Sequence, residues 1–344
     1  MTRKVVFINE SVKNILIVRK HNQIGDMICS LPLYAAVRKK YPLSKITLVA
    51  SPTNYPIPFK EINPFIDEVL IYDKSSFSSL TKFYFQLWKK SYQISIVPST
   101  IRLSFTSHII SFLSGAKLRV GIKSIDGVKN KAAFLLNRKA DFNWVNEKVH
   151  QSVRNLDIAH LAGCDLSKEE FTTIKFTEVI PGIENKFLKQ YFPLDKMIIG
   201  FHPGAGQITN IWKQENYIDL IKQLYKRYNN YVFLTRGPLD DDVINKLTED
   251  LNKLNIPWVV NNELSLSELI SLLDKIDLFI NTDTGIMHIA GSSSVKQISL
   301  FGPGKAFEWA PRGTNKYFIQ SATVDINDIS MKEVLDLCIT ILGD

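Results

Sequence analysis

Four polar clusters stand directly after short apolar runs in this chain. They are His21–Asp26 (HNQIGD), His202–Lys213 (HPGAGQITNIWK), Thr235–Asp242 (TRGPLDDD) and Asn281–His288 (NTDTGIMH). In open parallel sheets ligands sit at the carboxyl ends of strands, so clusters in these places are candidates for chemistry. Asp26, after Gly25, is a general base if it faces a cleft; an N-cap satisfying the free N–H groups of the following helix is the competing reading. The glycines Gly204 and Gly206 let backbone N–H groups approach an anion. They do not make a dinucleotide fingerprint, because Thr209 stands where the third glycine would be, and an ordinary turn is also open. Asp240 is either a ribose partner or one of three acids at a helix N-terminus. The last cluster is the most specific. With a helix starting near Thr284, Thr284 and His288 fall one turn apart on one face. The Thr284–Gly285 donors suit a diphosphate, with Asp283 bracing the turn. No His, Cys, Asp or Glu spacing is that of a metal site.

The elements that must position these residues are legible as alternating apolar runs and amphipathic stretches. Strands are expected at Asn14–Arg19, Lys45–Ala50, Glu68–Tyr72 and Gln93–Pro98, with a helix over about 28–40 whose basic end suits a helix C-terminus. The pattern restarts after a polar stretch over 165–195. Strands are expected at Met197–His202, Tyr231–Thr235, Pro257–Val260, Asp277–Asn281 and Gln297–Phe301. Helices are expected at Tyr217–Asn229, Ser267–Lys275 and Met331–Leu342. This β-then-α order predicts an α/β fold of two Rossmann-like domains, parallel sheets facing a central cleft.

Composition narrows the classes. Of 344 residues, 42 are Lys or Arg and 34 are Asp or Glu, a net charge of +8. The split is uneven: 23 basic and 9 acidic residues over 1–150 give +14, and 19 against 25 over 151–344 give −6. A basic half suits an anionic partner or a Lys-rich solvated surface. Three widely spaced cysteines argue against a disulfide framework and fit a reducing compartment. The charged N-terminus does not read as a signal peptide, and the apolar runs are strand-sized. The expected location is cytoplasmic.

The chain resembles the bacterial lipopolysaccharide heptosyltransferases, glycosyltransferase family 9. The resemblance rests on ILIVRKHNQIGDMICSLPLYAAVRKKYP, IGFHPGAGQITNIW, LSLSELISLLDKIDLFINTDTGIMHIA and ISLFGPG. It implies a GT-B fold, with an acceptor domain over 1–175, a nucleotide-sugar domain over 190–328, and a final helix, 329–344, crossing back to the first domain. It implies inverting, metal-independent transfer of a heptose or related sugar from an ADP-sugar to a hydroxyl of the lipopolysaccharide core. ADP-heptose would be the donor, with no cofactor. Asp26 matches the proposed base. Asp283, Thr284, Gly285 and His288 match the donor diphosphate signature. Gly204 and Ala205 fall in the phosphate-facing loop beside Thr209. Asp240 falls near a ribose-holding acid, and Leu264 where an apolar residue abuts the adenine.

One position departs. Family members usually carry a Lys two residues before the Trp that matches Trp212, commonly with Pro after that Trp. Here those positions are Asn210 and Lys213. Losing a cation beside a developing phosphate charge commonly costs ~2–4 kcal/mol of transition-state stabilisation. Lys213 is a candidate substitute, and a non-catalytic nucleotide-sugar or glycan-binding paralogue is the alternative. An NAD-dependent oxidoreductase is disfavoured, because neither half carries the three-glycine fingerprint with its ribose acid. No nucleic-acid module is recognisable. The acceptor, lipid A–core, would meet loops over 51–59, 99–107 and 119–131, where Arg102, Arg119 and Lys123 are candidate contacts. Peripheral contact with the anionic inner membrane surface is expected of the basic half.

Overall fold

The computed structural model describes residues 12–20, 23–52, 63–174, 196–261 and 264–343. The chain divides into two compact units, Met1–Phe176 and Thr177–Asp344.

In the first unit, β1 (Asn14–Val18), β2 (Lys45–Ala50), β3 (Glu68–Ile71), β4 (Ile94–Ile96), β5 (Leu118–Ile125), β6 (Val128–Lys129) and β7 (Arg138–Phe142) form one sheet. Its order is β3-β2-β1-β4-β5-β6, with β7 pairing β5; only the β5–β6 pair is antiparallel. The unbroken apolar run of β1 is explained by cover on both faces of the sheet. Leu16 and Val18 enter a core with Val49, Phe83 and Ile110, while Ile15 and Ile17 are fully buried as well.

In the second unit, β8 (Ile198–His202), β9 (Tyr231–Thr235), β10 (Trp258–Asn261), β11 (Leu278–Thr282), β12 (Lys296–Phe301) and β13 (Lys316–Gln320) form an all-parallel sheet of order β10-β9-β8-β11-β12-β13. Each unit thus reverses its strand order beside its first strand. The crevice outside that reversal, between β1 and β4 in one unit and β8 and β11 in the other, is where such sheets bind ligands.

One local expectation is corrected. The helix over 28–40 is two pieces, Ile24–Ile28 and Leu31–Lys40. The break comes at Cys29-Ser30, ahead of a proline that suits a first helical turn. The final helix, Met331–Leu342, packs into the core of the second unit. Its Val334 and Cys338, four residues apart on one face, enter the second core with Leu220 and Leu224. Ser330 and Glu333 close a capping box at its start.

Candidate functional site

In the first unit the reversal point carries a buried ion pair. Arg19 follows β1, and its Nη2 donates to Asp26 Oδ1 at 3.2 Å, with both side chains buried. Its Nη1 donates to the Pro98 carbonyl, just after β4, at 2.8 Å and to Asn155 Oδ1 at 3.1 Å. Arg19 therefore ties the ends of β1 and β4 to the Gln151–Leu161 helix and fixes the Asp26 carboxylate. Asp26 lies inside the short Ile24–Ile28 helix, whose N-cap is Gln23. The N-cap reading of Asp26 is set aside on this geometry, because its carboxylate turns to the guanidinium. The phenol of Tyr34 is fully buried near this pair, and burial raises its pKa. His21 and Asn22 lie outside the described residues, as do 53–59 of the first acceptor segment. Among the other acceptor candidates, Arg102 is exposed. Arg119 is occupied by the carbonyls of Leu135 and Ala116, and Lys123 pairs with Asp141 at 2.7 Å.

In the second unit the turns after β8, β11 and β12 meet. Asn210, closing the short Ile208–Asn210 turn, donates its amide to the Asp283 carbonyl at 2.8 Å. This hydrogen bond joins the glycine-containing loop after β8 to the turn after β11. Lys213 is exposed and donates its backbone N–H to Asn327 Oδ1 at 2.9 Å. Its charge acts on Asp325, the N-cap of the short Ile326–Asp328 turn. Ala205 is half-buried and Thr209 is exposed on the same loop. Leu264 is half-buried ahead of the Leu266–Leu273 helix.

The Asp283 carboxylate is the most unusual group here. Burial raises its pKa from 3.8 to about 6. Among the described residues no cation or hydrogen-bond donor meets it. A Cβ on Gly304 would lie 2.0 Å from its Oδ2, so a side chain there, in the loop after β12, would have to push the carboxylate aside. Asp240 is seated in a similar way. A Cβ on Gly204 would stand 2.0 Å from Asp240 Oδ1, while Oδ2 accepts the Gly237 N–H at 2.6 Å. Asp240 is buried and lies 3.8 Å from His202 Nε2. Burial lowers the His202 pKa against the opposing pull of Asp240. Asp240 thus locks the turns after β8 and β9 together.

Thr284 is the N-cap of the Gly285–Gly291 helix, and its hydroxyl donates to the Thr282 carbonyl at 3.4 Å. Gly285 is exposed at the turn. His288 is buried, with its ring edge-on to Trp309 at 6.0 Å between centroids. The helix is pinned from beneath. Buried Gln297 donates from Nε2 to Asn281 Oδ1 and to the Met287 carbonyl, each at 2.9 Å. At its far end, Lys316 Nζ donates to the carbonyls of Ala290, Ser293 and Val295 at 2.8–2.9 Å, and burial lowers the Lys316 pKa to about 8.

Sequence reasoning alone missed Arg19, Asn155, Gln297 and the roles of Gly204 and Gly304 as seats for carboxylates. For Arg19 a signal was present: a cation at the end of an otherwise apolar strand. For Asn155 there was none, since 136 residues separate it from Arg19. Among the described residues no group of three or more His, Cys, Asp or Glu could hold a metal.

Residues 81–338 match the description of glycosyltransferase family 9 (heptosyltransferase). The chain belongs to that family. It is 25% identical to lipopolysaccharide heptosyltransferase 3 of Escherichia coli, over 85% of this chain and 84% of that one. To lipopolysaccharide heptosyltransferase 2 of E. coli K12 it is 24% identical, over 81% and 80%. The structure of E. coli ADP-heptose lps heptosyltransferase II superposes with a TM-score of 0.75 at 21% identity, over 96% and 98% of the two chains. The E. coli heptosyltransferase WaaC with ADP-2-deoxy-2-fluoro heptose gives 0.71 at 16%, over 94% and 98%. The fold is GT-B, and this family member is a glycosyltransferase. No described helix is long and apolar enough to cross a membrane.

Proposed function

We propose that this glycosyltransferase moves a heptose from ADP-heptose to a hydroxyl of the lipopolysaccharide core, with inversion and without a metal. The observation that carries the reading is the largely buried Asp283 carboxylate, without a partner among the described residues, at the reversal point of the second sheet. A buried carboxylate without a donor is a costly arrangement unless a ligand supplies one. A sugar's hydroxyls are such donors, and a diphosphate alone is not. The phosphates would instead meet the Gly204–Ala205 loop and the Thr284–Gly285 turn. Ribose and adenine would lie toward the turn after β9, capped by Asp240, and toward Leu264.

Asp26 accepts the proton of the acceptor hydroxyl as its oxygen bonds to the anomeric carbon. The bond from that carbon to the diphosphate oxygen breaks, and its electron pair leaves with the diphosphate. Arg19 holds the carboxylate in one orientation for this step. The relatives named for lipopolysaccharide heptosyl transfer support the substrate pair, and the acceptor would be met at the membrane surface that carries it.

A second reading has one observation behind it. Asn210 brings no charge, and its amide is spent on the Asp283 carbonyl. A binding paralogue that holds a nucleotide sugar without turning it over would tolerate this. A thermal-shift panel of ADP-, UDP- and GDP-sugars, paired with donor turnover, tests both. Stabilisation by the ADP-sugar alone, with transfer to core acceptor, is expected. Stabilisation without any turnover would favour the paralogue, and stabilisation by UDP- or GDP-sugars would overturn the donor.

A further inference from the structure

Residues 74–125 contain eight Lys or Arg and no Asp or Glu. Two helices of the first unit lie in this acid-free stretch, and both turn large apolar side chains to solvent. The Phe77–Trp88 helix buries Phe83 and Leu87 in the core. Its opposite side leaves Phe85 and Trp88 69% and 62% exposed. The Phe105–Leu113 helix buries Ile110 and leaves Phe112 49% exposed. The Trp88 indole N–H donates to the Leu113 carbonyl at 3.0 Å, so the carboxyl ends of the two helices meet. The exposed rings are therefore gathered at one place instead of being scattered over the surface. Lys82 on the helix of Phe85 and Trp88, and Lys89 at its C-cap, are exposed. Among the described residues neither lysine forms an ion pair.

Grouped exposed aromatics mark an interaction surface. Rings and lysines together, without a carboxylate in the segment, fit a surface that is both apolar below and anionic above. A lipid bilayer has that layering: rings enter the boundary between headgroups and acyl chains, and ammonium groups remain at the phosphates. We propose that this face, at the joined carboxyl ends of the two helices, docks onto an anionic lipid bilayer. It deepens the reading of a membrane-borne acceptor and rests on that reading for its purpose. The docking itself requires no sugar.

The test is cosedimentation of the full chain with acceptor-free vesicles. One set is phosphatidylcholine alone, and the other is equal parts phosphatidylcholine and phosphatidylglycerol. Binding to the anionic set only is expected. Lys82→Gln/Lys89→Gln should weaken it about 30-fold, on the order of fivefold per charge removed. Phe85→Ser/Phe112→Ser should weaken it at least ~10-fold, the loss of two buried rings at the boundary. Both variants should keep the thermal midpoint of the parent; should the aromatic pair fail to fold, the exposed lysine pair carries the test. No binding to anionic vesicles, or equal binding by parent and variants, would overturn the proposal. So would a dimer in light scattering that the aromatic pair dissolves, since a second copy would then cover the face. Glycosyl transfer to a soluble acceptor fragment, measured beside it, reports separately on the reaction.

Discussion

At the residue scale the two carboxylates of the reversal points differ in what surrounds them. Asp283 is largely buried with no partner among the described residues, and its pKa rises to about 6. Its folded state therefore holds a proton more tightly than the unfolded chain, whose carboxyl titrates near 4. The stabilising contribution of that proton is complete below pH ~4 and is lost as pH rises through ~6. At neutral pH the ionised group then costs on the order of 3 kcal/mol. Asp283→Asn should raise the denaturation midpoint at pH 7.5 and leave it nearly unchanged at pH 4, while abolishing stabilisation by the nucleotide sugar. Equal gains at both pH values would show that the ionised form carries no penalty. Asp26 is paired with Arg19, so its replacement must separate chemistry from folding. Asp26→Asn keeps an oxygen for the guanidinium and should lower kcat by about 10²–10⁴ with donor binding unchanged. Near-normal kcat in a folded variant would remove Asp26 as the base.

At the scale of elements, legibility followed burial on both faces. β1, β2, β9 and the Met331–Leu342 helix were plain, because unbroken apolar runs or an apolar stripe have one structural solution. β7 (RKADF) and β13 (KYFIQ) were not, since both are partly exposed and carry charged or polar side chains between apolar ones. The Phe77–Trp88 helix was obscured for the opposite reason: apolar residues on its outer face blur the 3.6-residue period. The turns were visible as clusters, but their mutual contacts were not. Nothing in the string GPGK says that Gly304 lies against Asp283. That contact makes a prediction about the turn after β12. Gly304→Ala should displace the Asp283 carboxylate and weaken donor binding about 10-fold or more, comparable with overpacking costs of ~1–3 kcal/mol. The same change should lower the thermal midpoint of the ligand-free parent, and in an Asp283→Ala background it should leave that midpoint nearly unmoved, because the clashing oxygen is gone. Additive losses in that double-mutant cycle would show that the two residues do not share one mechanism.

At the scale of the whole molecule, charge and ligand chemistry divide along the chain. Net charge is +14 over residues 1–150 and −6 over 151–344. The proposed donor is itself an anion, yet its proposed site lies in the acidic part, at turns where backbone N–H groups and fixed dipoles would do the holding. Short-range donors in a partly buried site are little affected by added ions, whereas long-range attraction between a basic surface and an anionic one is screened within about 8–10 Å at ordinary ionic strength. The two substrates should therefore respond differently to salt. Raising potassium chloride from low to physiological strength and beyond should increase KM for a phosphorylated core acceptor several-fold, while Kd for the ADP-sugar, measured by calorimetry on the same protein, stays within about twofold. If both constants rise together, the donor site depends on the same diffuse field, and the backbone turns at Gly204–Ala205 and Thr284–Gly285 are not what holds the diphosphate.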